Sequence, residues 1–403
     1  MNKRGRIFLA ALWIGLLLFP FSSSPESFVV IHYGHPFIII AGIIGFALFL
    51  MGSRRLTLLE GLACSWVVAM VLTSFWAARV IPSLARSGTY IAGLGVFLGI
   101  QSIATPTDRG KTILRSVRKN LVLSGVILAC YYLMNLALKI HAYGLSAVLL
   151  ERYVGGAASL PWGATNTIGA CLMIPLLSLF AFTEEPMRFQ WLASILLVLA
   201  ILSTCSRTLL ILLLLLFVGI LFLEKRMALL KIIGVVLALL VLISRYLVEQ
   251  DAEALSMLMA SRTEMGELYT LNDRIHIWQL FWSKFSSNPF NGVGYYGSLD
   301  AFGFSGHNIL LTTLVEGGLM GLLPMLAFLV GMFIYVSCAG RGRVDRIPLL
   351  RLNRGALCFG ILMLNLLVED AQYTYAYIAY FWVFVAMLKS SIRGRENSYG
   401  YHT

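Results

Sequence analysis

Gly306-His307-Asn308-Ile309-Leu310-Leu311-Thr312-Thr313-Leu314-Val315-Glu316-Gly317-Gly318 opens a stretch that runs apolar to Ser337, with Glu316 its one charged side chain. A bilayer core is crossed by ~20 such residues, so 308–337 reads as a membrane helix with length to spare. Gly317, Gly318, Gly321 and Pro324 are expected to bend it. His307 stands where a long loop enters this helix.

Working outward, the same kind of run recurs along the whole chain. Of 403 residues, 59% are hydrophobic and 12% are charged, more apolar surface than one water-soluble core can hide. The fold class expected is all-α: a polytopic membrane protein of about twelve transmembrane helices, forming a single integral membrane domain over 1–403. The spans read as 7–20, 36–51, 56–76, 88–104, 120–138, 164–182, 190–205, 208–223, 227–247, 308–337, 355–369 and 373–389. The first, after Lys3-Arg4-Gly5-Arg6, resembles a signal peptide; lacking a clear small-x-small cleavage site, it reads as a retained anchor. The six cysteines form no C-x-x-C pair and lie in or beside apolar runs, against a zinc site or disulfide framework.

The net charge of +12 reports topology rather than nucleic-acid binding. With the N-terminus in the cytoplasm, 22 of the 31 Lys and Arg fall on inner segments, as the positive-inside rule requires, and both termini are cytoplasmic. The basic excess also suits contact with anionic membrane lipid. Three outer regions follow: 139–163, a tight turn at 206–207, and a large periplasmic or extracellular loop at 248–307. Inside that loop 273–286 reads as a short amphipathic helix, with Ile275, Trp278, Phe281 or Trp282, and Phe285 at helical spacing. Asn288-Pro289 ends it, and Arg274 is carried at its start.

Three side chains on the outer side can do chemistry. At the positive end of a helix dipole His307 is expected to be neutral, and a neutral imidazole can accept a proton as a general base. The plain alternative is a helix cap. Arg207, after Ser203-Thr204-Cys205-Ser206, is a fixed guanidinium at a membrane edge, suited to a phosphate oxygen pair or, more plainly, to snorkelling. Arg274 reads as an anion ligand or as a solvated arginine on a packing helix. Glu316 lies nine residues beyond His307, about 180° around a straight helix, so a His–Glu dyad is not expected and Glu316 reads as a buried structural partner. Glu369 and Asp370 are better placed to pair with an outer arginine. Gly292-Val293-Gly294 precedes no βαβ unit and is no dinucleotide fingerprint. His32-Tyr33-Gly34-His35 lacks acidic or cysteine neighbours and reads as a loop, and no outward DxD-like cluster offers a metal for a sugar nucleotide.

Together these motifs resemble the O-antigen ligase and polymerase superfamily of bacterial polysaccharide enzymes. Ser206-Arg207-Thr208 resembles its Ser-Arg turn before a Leu-rich helix. Arg274-Ile275-His276-Ile277-Trp278 and Asn288-Pro289-Phe290-Asn291-Gly292-Val293-Gly294 resemble its Arg-x-x-x-Trp helix and glycine turn. His307-Asn308, with Leu311, Leu314, Glu316, Gly317 and Gly321, resembles its histidine helix. The ligase-like core covers about 190–335. The resemblance implies a GT-C-like membrane glycosyltransferase, metal-independent, inverting and without a cofactor, in the bacterial inner membrane with its site on the periplasmic face. Its donor would be a glycan on undecaprenyl pyrophosphate. Its acceptor would be lipid A–core (ligase) or another lipid-linked glycan (polymerase). Arg207 and Arg274 would bind the pyrophosphate and His307 would be the catalytic base. A lipid-linked sugar flippase or other multi-span transporter is the alternative reading.

Overall fold

The computed structural model describes residues 3–23, 31–52, 55–144, 148, 165–182, 187, 189–204, 206–225, 271–303, 306, 308–338, 353–368 and 374–398. Among them the chain is all-helical apart from one antiparallel pair of two-residue strands, β1 (Ser22–Ser23) and β2 (Ile31–His32), in register Ser22 with His32. The helices in chain order are α1 (Lys3–Leu18), α2 (His35–Met51), α3 (Leu58–Thr73), α4 (Val80–Ile103), α5 (Asp108–Tyr143), α6 (Thr165–Ala181), α7 (Gln190–Ser203) and α8 (Arg207–Leu223). There follow α9 (Leu271–Ser287), α10 (Gly297–Phe302), α11 (Ile309–Cys338), α12 (Arg354–Val368) and α13 (Tyr375–Ser398).

Eleven of the twelve expected spans coincide with these helices; 227–247 lies outside the described residues. Among the described residues, four stretches are by length and composition apolar and long enough to cross a membrane: Leu58–Trp76, Asp108–Tyr143, Ile309–Cys338 and Tyr375–Ile392. The expected boundaries stopped too early at charged residues. α5 begins at Asp108, capped by the Thr107 hydroxyl, which accepts from the Gly110 amide (3.2 Å), and not at 120. α4 begins at Val80, carrying Arg86 inside the helix. Lysine and arginine are good helix formers, so the backbone ladder continues past the edge of the apolar run.

In lipid, burying an apolar side chain against another helix gains no transfer free energy, and close packing must hold the bundle. α2 and α4 achieve it with glycine. A Cβ on Gly45 would lie 2.0 Å from the Gly95 carbonyl oxygen, and one on Gly95 2.3 Å from the Gly42 oxygen. Trp66, Phe97, Phe328 and Trp382 then lock α3, α4, α11 and α13 at ring separations of 5.5 to 5.7 Å where each meets Trp382 or Trp66. Gly93 makes room for the Trp382 indole.

The two ends of the bundle are mutually consistent. At the end expected inside, Glu60 closes a capping box with Thr57 and accepts from Lys389 Nζ at 2.5 Å, both side chains buried. Arg354 pairs with Glu224 there (2.5 Å), and the Arg118 guanidinium donates to the Ser178 and Leu179 carbonyls. At the opposite end, His35 stacks on Tyr375, and α4 meets the segment 294–300.

Candidate active site around the broken helix

α11 is continuous in sequence but not in helix. Gly318 has φ 57° and ψ −157°, which breaks the ladder between Ile309–Gly317 and the remainder. A break inside an apolar run strands backbone donors and acceptors that lipid cannot satisfy. The turn Asn288–Gly294 fills the gap. The Val293 and Gly294 amides donate to the carbonyls of Val315 (2.9 Å) and Glu316 (2.8 Å). The Leu319 and Met320 amides donate to the carbonyls of Pro289 (2.9 Å) and Phe290 (3.0 Å). Gly292 (φ 66°) and Gly294 (φ 91°) are glycine for two reasons, left-handed backbone and lack of space: a Cβ would reach Glu316 backbone at 2.5 Å or the Ala77 nitrogen at 2.3 Å. The glycine turn is therefore a plug for the broken helix, and the expected bend at Gly317-Gly318 is a complete interruption.

Beyond the plug the chain is held from two sides. The Ser83 hydroxyl of α4 donates to the Tyr295 carbonyl (2.7 Å), and Tyr295 packs edge-on to Tyr90. Tyr296 takes left-handed backbone (φ 68°) with the Arg86 guanidinium 3.5 Å over its ring. Burial raises the Tyr296 phenol above its ordinary value, opposed by Arg86. Arg79 pairs with Asp300. Glu316 is fully buried, and its Oε1 accepts from the Ser298 hydroxyl (2.6 Å) and amide (3.3 Å) at the start of α10. It is the buried partner expected, bonded to the loop's own short helix. The parts played by Ser83, Arg86 and Ser298 had no motif to announce them.

α9 presents two stripes, not one. Ile277, Phe281 and Phe285 pack on Val315, Leu311, Val293 and Phe302, and Phe281 stacks on Phe302 at 5.0 Å. Ile275, Trp278 and Trp282, read from the sequence as one stripe with Phe281 or Phe285, line an apolar groove of about 540 Å³ with Leu310, Leu311, Leu314 and Leu322. Trp278 Nε1 donates to the Gly306 carbonyl (3.2 Å). Arg274 falls in the first turn of α9, beside Ile275; its side chain lies outside the described residues.

His307 also lies outside them, but its neighbours on both sides are described. Gly306 is buried against Phe281 and Thr312. Asn308 caps α11: its Oδ1 accepts from the Leu310 (2.9 Å) and Leu311 (3.2 Å) amides. The capping role that was the plain reading of His307 is thus taken by Asn308.

Arg207 stands on another corner, built by α6, α7 and α8. Thr204, buried, closes α7 with its hydroxyl on the Ile201 carbonyl (2.7 Å), and Gly169 of α6 gives room for Leu209. Arg207 is the first residue of α8 and is exposed. Ser206 makes no side-chain cap, so the positive helix terminus and the guanidinium occupy one edge, a setting for an anion. The structure thus brings the Arg274 helix and the flanks of residue 307 into one unit, while Arg207 opens α8. Glu369 and Asp370 lie outside the described residues.

His32 and His35 are occupied by packing. His32 Nδ1 lies 3.1 Å from the Phe19 carbonyl, burial lowers its pKa to about 4, and His35 stacks on Tyr375 at 4.2 Å. Among the described residues no three His, Cys, Asp or Glu side chains are grouped to hold a metal.

No curated protein matches the chain. Residues 192–326 match the family model of the O-antigen ligase. That segment contains Arg207, Arg274 and His307, the filled break of α11 and the Glu316–Ser298 contact. With its apolar helices the chain is an integral membrane protein, and 135 of its 403 residues are similar to the O-antigen ligase family.

Proposed function

We propose that the protein transfers a glycan from undecaprenyl pyrophosphate to an acceptor hydroxyl at the outer face of the bacterial inner membrane. The acceptor is lipid A–core or a second lipid-linked glycan. The reaction is a single displacement. His307 takes the acceptor's hydroxyl proton, the acceptor oxygen bonds to the anomeric carbon, and the bond from that carbon to the phosphate oxygen breaks. Undecaprenyl pyrophosphate leaves with the electron pair, and the anomeric centre inverts. Arg207 and Arg274 offset the charge that develops on the leaving group, electrostatic work that needs no metal ion.

The observation that carries this reading is the placement of the α9 start. The helix that carries Arg274 in its first turn lines a groove with Ile275, Trp278 and Trp282 against Leu310, Leu311, Leu314 and Leu322, and the same helix holds the Gly306 carbonyl next to residue 307. A polyprenyl chain with a pyrophosphate head has the polarity of that arrangement. The reading adopts the twelve-span arrangement, with both termini cytoplasmic, 190–335 as the ligase-like core and 248–307 as its outer loop. A broken helix is also the mark of many transporters, which use freed backbone groups to bind ions at midplane. In α11 those groups are consumed by Pro289, Phe290, Val293 and Gly294, which removes that argument for a flippase.

The test uses purified protein in nanodiscs with a lipid-linked donor and an acceptor. His307→Ala is expected to lose ~100- to 10,000-fold in transfer and still bind donor. Arg207→Ala and Arg274→Ala are expected to weaken donor binding, with lysine a poor substitute because it cannot make the planar bidentate grip. Transfer by His307→Ala at the wild-type rate would remove histidine from the mechanism.

A further inference from the structure

Glu316 is the single acid in a thirty-residue apolar helix, and it is fully buried. Burying a carboxylate is costly unless donors compensate. Two are on hand from one residue, the Ser298 hydroxyl at 2.6 Å and its amide at 3.3 Å, on one carboxylate oxygen. The Glu316 backbone carbonyl also takes the Gly294 amide at 2.8 Å. The residue therefore grips the loop twice, four positions apart. From Ser298 the chain passes through α10, stacks Phe302 on Phe281, and reaches Gly306, where Trp278 holds the carbonyl. The next residue is His307. Glu316 and Trp278 thus hold the two ends of the nine-residue stretch that leads to it.

We propose that Glu316 is a positioning residue, whose bond to Ser298 fixes the segment that delivers His307 to the acceptor. The inference rests on the reading of His307 as the base. Glu316 is sealed from substrate by its burial and acts through the segment, not on the reacting atoms. Arg207 opens α8, and α9, which carries Arg274, is anchored on Val315 by Ile277 and Phe281 and not by the Glu316 carboxylate, so the loss should fall on turnover and spare donor affinity.

The experiment compares Glu316→Ala, Glu316→Gln, Ser298→Ala and the double alanine variant in the nanodisc assay, with His307→Ala alongside. Glutamine can still accept from Ser298, so Glu316→Gln is expected to keep most of the wild-type kcat. Glu316→Ala is expected to lose about 100-fold in kcat, the scale of a misplaced catalytic group, with donor KM unchanged. Ser298→Ala should lose about 10-fold, the worth of one hydrogen bond. The double variant should be no slower than Glu316→Ala, because Glu316→Ala already removes the bond that Ser298→Ala removes. The pH midpoint of Glu316→Gln should equal the wild type's. Wild-type kcat in Glu316→Ala overturns the inference, as does a loss confined to donor KM. So does Glu316→Gln as inactive as the alanine form, which would give the carboxylate a chemical role. If Glu316→Ala does not fold, Ser298→Ala decides, and an unchanged kcat there overturns the inference. Should His307→Ala itself be active, the base assignment fails; should it be inactive while Glu316→Ala turns over normally, only the positioning role fails.

Discussion

A Cβ at Gly294 would stand 2.3 Å from the Ala77 amide nitrogen on backbone with φ 91°, whereas Gly303 has φ 75° with nothing within 4 Å. Gly303→Ala therefore carries only the left-handed backbone penalty, about 1 to 2 kcal/mol, and is expected to retain folding and most transfer activity. Gly294→Ala adds a clash with main chain that cannot move aside, since Ala77 lies between α3 and α4. The expected result is a large drop in apparent melting temperature, or no folded protein, by fluorescence-detected size exclusion. Equal behaviour of the two variants would contradict the plug geometry. The same scale explains the pair at 307 and 308. Asparagine supplies the cap that the Leu310 and Leu311 amides need.

Among the elements, the pair α2 and α4 and the broken α11 use small residues in different ways. In α2 and α4, glycine removes side chains so that backbones can touch. In α11, glycine adopts a conformation that other residues resist, and the loop repairs the consequences. The first use gives a sharp contrast. Gly45→Ala would put a methyl 2.0 Å from the Gly95 carbonyl oxygen, while Gly61→Ala in α3 meets nothing within 4 Å. Gly61→Ala is expected to be neutral or to stabilise by up to about 1 kcal/mol through helix propensity. Gly45→Ala is expected to lower the apparent melting temperature in detergent and in nanodiscs, with no matching effect at Gly61. Element boundaries were legible in sequence where apolar runs begin and end sharply, as at α2 and α6. They were misread at α4 and α5, where helix-forming charged residues extend the ladder beyond the membrane.

For the whole molecule, the positive-inside bias and the pairing of helix ends make one claim, that 271–306 and the Lys389–Glu60 pair lie on opposite sides of the membrane. Exposed positions allow it to be read directly. On a background lacking all six cysteines, Ser286→Cys is expected to react with an impermeant thiol reagent in cells whose inner membrane is intact. Thr112→Cys should react only once that membrane is opened. The opposite pattern would invert the topology and put the candidate site in the cytoplasm.

Hydropathy and charge bias were enough to place eleven helices, because a membrane segment must be apolar along its length whatever it packs against. The candidate residues were legible for a related reason. Charged or titratable groups at a membrane edge are conspicuous against 59% hydrophobic residues. The face of α9 was not legible, since Ile275, Ile277, Trp278, Phe281 and Trp282 are all apolar. Only contact with Val315 and Phe302 decided that Ile277 and Phe281 are core and the others line a groove. Nor could sequence say that Gly318 ends one helix and starts another, or that Pro289, Phe290, Val293 and Gly294 satisfy the stranded groups. Backbone hydrogen bonds between distant segments carry no side-chain signature. They exist only once the loop and the helix are brought together in three dimensions, and that contact fixes the described backbone at Gly306 and Asn308 on either side of residue 307.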